Sequence, residues 1–569
     1  MSLTRRSVGA WLPRSVTALR DYSAHQFVRD LIAGLTVGLV ALPLALAFAI
    51  SSGASPQAGV YTAVVAGFLI SALGGSSVQI GGPTGAFVVV VYGIIATHGI
   101  DGLFMCTLLA GILLVAMGAT GMGAAVDFLP RSVVVGFTNG IALLIASTQI
   151  KDLVGLQIPH PSGMFLPRMA QVVQNVGTLS PAAAVLGIGG VLVMVVFQRF
   201  FRAVPGAIVA LVAGTSLVHF LQLPVETIGS RFGGLPAGLP PLHVPQFRPE
   251  LIGPLLPSVL TIAMLGAIES LMSATVADRM IGDRHNPNVE LIAQGIANIA
   301  TPLVGGLPAT GAIARTATNI RAGGRTPVAG MVHALTLVSV LLVAAPLARD
   351  VPLAVLSGIL LVVAYNMGEW SEIPGLLKLS KGDISVWLVT FGLTVFADLT
   401  VAVEAGMILA ALLMVRKVAV TTVVVAETPA EVESARVHLL QDKDVPAYVA
   451  VYRIQGPFLF GALDKLSEVT RDMERLPPIV ILRLRNMTAI DGSGLGAFED
   501  LAERLHAAGR TLILCAAREQ PAQLMAQAEF GRHVGEANIC TDIDRALERA
   551  RAVYASRHSG SGATADAPA

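Results

Sequence analysis

Between residues 31 and 418 the chain is a succession of apolar blocks of about 20 residues, the length that carries an α-helix across roughly 30 Å of hydrocarbon. The blocks predict fourteen spans, near 31–51, 56–75, 83–96, 103–125, 132–150, 179–198, 205–222, 254–277, 289–306, 309–321, 327–347, 351–367, 384–398 and 399–417. After Lys417 the pattern becomes a soluble alternation. Strand-like runs fall at 448–454, 479–484 and 511–515, with helices starting at Leu463 and Gly494 and two more following, which predicts a small α/β domain. The expected organisation is a cytoplasmic N-terminal segment at 1–30, a transmembrane domain at 31–418, a cytosolic domain at 419–556 and a Ser/Gly/Ala/Pro-rich disordered tail at 557–569.

Composition agrees with a polytopic α-helical membrane protein. Of 569 residues, 54% are hydrophobic and 13% charged, and the mean hydropathy is +0.71. A formal net charge of +1 gives no reason to expect nucleic-acid binding, and what matters is where the charges fall. Loops after even-numbered spans carry Arg131, Arg199, Arg202, Arg279, Arg284, Arg321, Arg325, Lys378 and Lys381; the longer odd loops carry Lys151, Arg168, Arg231, Arg248 and Arg349. The bias predicts both termini on the cytoplasmic side of a bacterial inner membrane. Arg5, Arg6, Arg14, Arg20 and Arg29 precede the first span with no cleavable-signal pattern. Cys106, Cys515 and Cys540 form no CxxC pair, so neither a thiolate metal site nor any cofactor is expected.

Two spans are anomalous. One opens with Gly81-Gly82-Pro83-Thr84-Gly85-Ala86-Phe87 and the other with Leu307-Pro308-Ala309-Thr310-Gly311-Ala312-Ile313. They share Thr-Gly-Ala and lie 310 − 84 = 226 positions apart, one in each half, and a seven-span repeat inserts in opposite orientations. Interrupted spans at matching places in inverted halves point to a midplane substrate site, where broken backbone is tolerated because it lines a protected cavity.

The chemistry available there suits an anion. Each half-helix start exposes unpaired N–H groups and about half a positive charge, so two facing starts make about one. Thr84 and Thr310 suit either N-capping or donating a hydroxyl to the ligand, and Gly85, Ala86, Gly311 and Ala312 supply the backbone. Arg315 stands inside the short second span, as a further positive charge at the site or as a group snorkelling beside Arg321. Glu269 interrupts the apolar helix 260–272, where a carboxylate costs on the order of 3 kcal/mol. An anion roughly 6 Å from it costs about 2.8 kcal/mol more at an effective dielectric near 20, so anion and proton would bind together. A structural pairing of Glu269 with Arg315 or with a neighbouring hydroxyl such as Ser273 is the alternative.

Other residues carry weaker signals. Pro43 and Phe48 would kink the first span and set an aromatic wall by the site, or simply serve helix packing, while Asp398 and Glu404 read as solvated groups flanking an outer turn. In the soluble domain, Asp491-Gly492-Ser493-Gly494 joins a strand to a helix, a place for a regulatory phosphate on Ser493 or for a plain cap. No nucleophile, acid/base and oxyanion set can be assembled from the apolar spans, so no enzyme is expected.

Together these features resemble the sulfate permease (SulP) family of anion transporters over nearly the whole chain. The likeness rests on Asp30-Leu31-Ile32-Ala33-Gly34-Leu35-Thr36-Val37-Gly38 running into 41–48, on both Thr-Gly-Ala segments, and on Glu269 with Gln294-Gly295-Ile296-Ala297-Asn298. The tail is similar to a STAS domain through Asp491 to Gly494. The resemblance implies a seven-plus-seven inverted repeat, a core domain moving against a gate domain as an elevator, and a homodimer. It also implies substrate held between the third and tenth helices and a cytosolic regulatory protein or nucleotide at the STAS domain. Residues 149–157 and 263–271 look most like the family's bacterial C4-dicarboxylate transporters, which makes succinate, fumarate or aspartate the leading substrates, with a proton as the coupling ion. Sulfate, bicarbonate or chloride transport or exchange stays open, as does a membrane-tethered anion sensor signalling through STAS.

Overall fold

The computed structural model describes the chain apart from residues 1–10, 19–21, 124–129, 160, 202–203, 236–237, 239–241, 243–247, 398, 427–443, 461–464, 467–475 and 560–569. It divides into two units, 1–410 and 411–569. Among the described residues, fourteen helical segments correspond one to one to the expected spans. They are α1 Ala24–Ser51, α2 Pro56–Leu73, α3 and α4 within Val88–Ala119, α5 Arg131–Leu153, α6 Pro181–Phe200, α7 Gly206–Leu221, α8 Ile252–Ile281, α9 Pro287–Ala300, α10 Ile313–Arg321, α11 Pro327–Ala344, α12 Leu353–Met367, α13 Lys381–Phe396 and α14 Leu399–Thr421. α3 and α4 (88–98 and 100–119) are separated only by Gly99, whose φ of 71° lies outside the helical region. Two short strands, β1 Gly81–Gly82 and β2 Thr310–Gly311, precede α3 and α10.

The segments pack as two bundles. α11 lies along α1 and α2, α9 along α2 and the α3–α4 helix, and α8 against the α3–α4 helix and α10, which makes one bundle of α1–α4 and α8–α11. α5 packs on α12 and α13, α6 packs on α7 and α12, and Gly406 of α14 abuts Thr390 of α13, which makes the second. These are the core and gate of the inverted repeat. Close crossings use small residues, since van der Waals contact and not the hydrophobic effect drives helix association in lipid. At the α4–α9 crossing, a Cβ on Gly295 would sit 2.6 Å from the Gly111 carbonyl, and one on Gly111 2.7 Å from the Gly295 carbonyl.

The first helix begins seven residues before the expected span. Ser23 caps it by accepting from Gln26 N at 3.2 Å, so residues 24–30, expected in the N-terminal segment, belong to the first helix. Asp30 is fully buried there and accepts from the Arg325 and Thr326 amides, the Thr326 hydroxyl and the Tyr22 hydroxyl.

Within 411–569 a five-stranded sheet runs in the order β3-β4-β5-β6-β7, from Val423–Ala426, Val449–Phe458, Ile479–Ile490, Thr511–Cys515 and Ile539–Cys540. β3 is antiparallel to β4 and the other neighbours are parallel. The first half of β5 is buried on both faces, which is why 479–482 reads as an unbroken apolar run. Helices α15 Gly492–Ala507, α16 Glu519–Gln527 and α17 Ile543–Ser559 complete the domain. The helix expected from Leu463 falls largely outside the described residues. α17 continues to Ser559, so residues 557–559, expected in the tail, are helical, and the rest of the expected tail lies outside the described residues.

The glycine crossing gives a stability test. Gly295→Ala should destabilise the protein by about 1–3 kcal/mol through overpacking, read as a lowered melting temperature in detergent. An unchanged melting temperature would mean that α4 and α9 part freely.

Candidate functional site

The two Thr-Gly-Ala segments meet. β1 pairs antiparallel with β2, setting Gly81 opposite Gly311 and Gly82 opposite Thr310. The half-helices α3, entered through a 3-10 turn at Gly85–Phe87, and α10 both start just beyond this pairing. Thr84 and Ala312 occupy the two N-cap positions and neither makes a side-chain capping bond. The first N–H groups of each half-helix therefore lack the usual partner.

Both starts face one cavity of about 1200 Å³ between core and gate, lined by Phe48, Thr84, Gly85, Ala86, Glu269, Ala312 and Arg315 among others. The cavity also reaches Gln198, Val204 and Arg321, at the ends of α6, α7 and α10 that adjoin the basic loops. Pro43 is buried inside α1, five residues before Phe48, which is 4% exposed.

Thr84 donates its hydroxyl to Glu269 Oε2 at 2.9 Å, so the carboxylate on α8 is held against the mouth of α3. Of the pairings anticipated for Glu269, the one with a neighbouring hydroxyl is present, with Thr84 in the place of Ser273, and the ion pair with Arg315 is not. Ser273 donates to Thr316 Oγ1 at 3.3 Å, and Arg315 makes no ion pair among the described residues. Its guanidinium crosses from α10 to the chain ahead of α3, donating to the Gly81 carbonyl at 3.4 Å and to the Pro83 carbonyl. Arg315 is 3% exposed and does not snorkel. Gly82, at φ 142°, leaves the room it needs, since a side chain there would run into the guanidinium.

Two expected site residues lie elsewhere. Thr310 and Gly311 are fully enclosed and do not line the cavity. Thr310 spends its hydroxyl on the Gly266 carbonyl at 2.8 Å, and Gly311 packs against the Gln79 side chain. The inverted repeat makes the two threonines equivalent in position, but only the first has an acceptor on the cavity side. Glu404, expected to flank an outer turn, instead lines the cavity from α14; Asp398 lies outside the described residues.

A second carboxylate escaped the sequence reading. Glu290 on α9 is fully buried and accepts from the Gly75 and Ser76 amides at 2.9 and 3.1 Å, from Gln294 at 2.9 Å and from Ser270 at 3.4 Å. It ties the loop leading to β1 onto α8 and α9. Its position in the first turn of a helix reads as an ordinary dipole partner, and only the Gly74-Gly75 pair hints at a close approach.

In the soluble unit, Asp491 is the N-cap of α15, accepting from Gly494 N at 2.8 Å and from Phe460 N at 3.1 Å. Ser493 is therefore not the cap; it stands exposed in the first turn.

The sulfate permease family profile matches residues 27–390 and a STAS domain profile matches 441–546. The chain is 39% identical to YvdB of Bacillus subtilis (strain 168), a protein assigned to sulfate transport by name, over 91% of this chain and 96% of that one. It is 32% identical to the bicarbonate transporter BicA of Picosynechococcus sp., over 77% of this chain and 80% of that one. The solved transmembrane domain of a cyanobacterial BicA superposes with a TM-score of 0.61 at 32% identity, covering 68% of this chain and 98% of that structure. Murine solute carrier 26 member A9, solved in an inward-facing state, gives a TM-score of 0.85 over 97% of this chain and 96% of that one, at 17% identity, a likeness of fold alone. With a matching family profile across most of its length, the chain belongs to the sulfate permease family of membrane anion transporters and carries a STAS domain.

Proposed function

We propose that the chain is a proton-coupled importer of small divalent anions that works as an elevator, with Arg315 and the two half-helix starts binding the anion and Glu269 carrying the proton. The observation that carries this reading is the hydrogen bond from Thr84 to Glu269. A hydroxyl has one proton to give. While Glu269 is ionised, that proton is committed to Oε2. Once Glu269 takes up a proton, its carboxyl group can donate to Thr84, and the threonine proton turns toward an anion at the mouth of α3. Proton and anion then favour each other's binding.

Charge supports a dianion. Arg315 counts +1, the two half-helix ends about +1 together and ionised Glu269 −1, leaving about +1 in the empty site and about +2 after protonation. Sulfate and C4-dicarboxylates such as succinate or fumarate balance the second value. The resemblance in residues 149–157 and 263–271 supports the dicarboxylates, and the name of the 39%-identical relative supports sulfate. Bicarbonate is a second reading, supported by the name of BicA. Homodimerisation and the placement of both termini in the cytoplasm belong to the same proposal, supported by the family and by the distribution of basic loops.

Uptake of labelled succinate, sulfate and bicarbonate into proteoliposomes tests this. An inward gradient of about two pH units supplies about 2.7 kcal/mol, enough for about hundredfold accumulation per coupled proton. Accumulation of a dianion only with the gradient is the expected result. No flux of any anion would instead make the protein a sensor acting through STAS.

Glu269→Gln should abolish gradient-driven accumulation yet keep anion exchange, because the amide donates to Thr84 as the protonated acid would. Concentrative, pH-dependent uptake by this variant would remove the coupling role. Thr84→Val should weaken substrate affinity by about tenfold or more, the loss of one hydrogen bond to a charged group. For the soluble unit, a phosphate on Ser493 would be favoured by the N-terminal end of α15. Identical uptake by Ser493→Ala and Ser493→Asp proteins would rule out regulation through that residue.

A further inference from the structure

The ten-residue helix Phe165–Gln174, between α5 and α6, has its polarity inside out. Its charged residue points inward: Arg168 is 5% exposed and donates to Ser147 Oγ at 2.9 Å and to the Ser162 and Gly163 carbonyls at 2.9 and 2.8 Å. Large apolar residues point outward, with Leu166 63% and Val173 72% exposed and Met164, just before the helix, 72% exposed. At 1.5 Å per residue the helix is about 15 Å long, half of what a span requires. The helix packs on α5 and α13, where Phe165 meets Phe396 edge-on with ring centroids 5.9 Å apart. Among the described residues, nothing covers the outward face.

We propose that this helix lies along the bilayer surface as an interfacial anchor, with Leu166, Ala170 and Val173 dipping toward the acyl chains, and so fixes the depth of the gate bundle. Two observations name lipid as the occupant. From Met169 to Gln198 the chain carries no charged residue, and its exposed apolar positions run on into α6, a spanning helix that lipid must cover, where Val185, Ile188 and Leu192 are 73%, 51% and 59% exposed. The three bonds to Arg168 also leave the outward face without charge from this helix, as a surface in contact with hydrocarbon requires. An interfacial helix buries its apolar side about 5–10 Å into the boundary between headgroups and chains. Anchoring the gate in this way gives the core a fixed frame to slide against.

The test places a single cysteine at Val173 in the full-length chain with Cys106, Cys515 and Cys540 replaced, labels it with an environment-sensitive dye and reconstitutes the protein into lipid nanodiscs. Glu503→Cys, in the soluble unit with its side chain 70% exposed, serves as the water-facing control. The expected result at Val173 is a blue-shifted emission quenched by lipids carrying a shallow nitroxide and unaffected by aqueous iodide, with the reverse at Glu503. Ala170→Cys should repeat the Val173 result if the Val173 protein folds poorly. Iodide quenching at both helix positions would overturn the proposal by showing that the face meets water. Efficient short-reach crosslinking of Val173→Cys between two chains would overturn it in favour of an interface between copies.

Discussion

A backbone broken in the middle of a bilayer must find a partner for each N–H and C=O it exposes, and the core bundle is organised around that need. The two broken spans supply part of it to each other through the β1–β2 pairing. Side chains of the opposite half supply much of the rest. From α10, Thr316 accepts from Ile80 N, Asn319 donates to the Val78 carbonyl and Arg315 reaches the Gly81 and Pro83 carbonyls. In return, Thr62 on α2 accepts from Leu307 N at 2.6 Å. Each repeat's break is thus stitched by the other repeat, and Asn298 on α9 adds a two-way pair with Ala309 from within the second half. Neither half-helix can shift alone without stranding polar backbone groups in a dry interior, so the site moves as one rigid piece or not at all.

The same stitching leaves the site with the chemistry that the proposed anion binding needs. The polar side chains nearby are spent on carbonyls and on linking the segments, which leaves the N–H groups at both half-helix starts uncapped. Arg315 serves in both capacities: its bonds to the carbonyls hold the chain ahead of α3, while its charge has no carboxylate at ion-pair distance among the described residues. A buried cation without such a partner is costly, and an anion at the proposed site would lower that cost.

Much of this was legible in the sequence because it rests on length and repetition. Blocks of about 20 apolar residues mark spans whatever their packing, and two Thr-Gly-Ala segments at equivalent places mark an inverted pair. What could not be read was partner choice. Nothing in the sequence distinguishes Thr84, which faces Glu269, from Thr310, which faces the Gly266 carbonyl, since the difference lies in where α8 passes. Glu290 stayed hidden because its amide donors, Gly75 and Ser76, stand 215 and 214 positions away in the chain. The start of α1 could not be read because an apolar pattern marks the hydrocarbon layer, while the helix itself runs back to its Ser23 cap and takes Asp30 with it.

The two walls of the cavity differ in charge, and that difference bears on how cargo is carried. The core side contributes Arg315, Arg321 and two half-helix starts against the carboxylate of Glu269. The gate side contributes Glu369 and Glu404, from the segment after α12 and from α14, with no cation among the described lining residues. The gate's own rigidity comes from elsewhere, through Asn139, which donates to the Gly368 carbonyl and accepts from Trp387 Nε1 at 2.9 Å. An anion in this cavity is drawn to one wall and not the other. In the proposed elevator the anion would therefore travel with the core, and the gate would act as a surface that releases it; a cavity with positive charge on both walls would hold the bundles together through the anion and stall the movement.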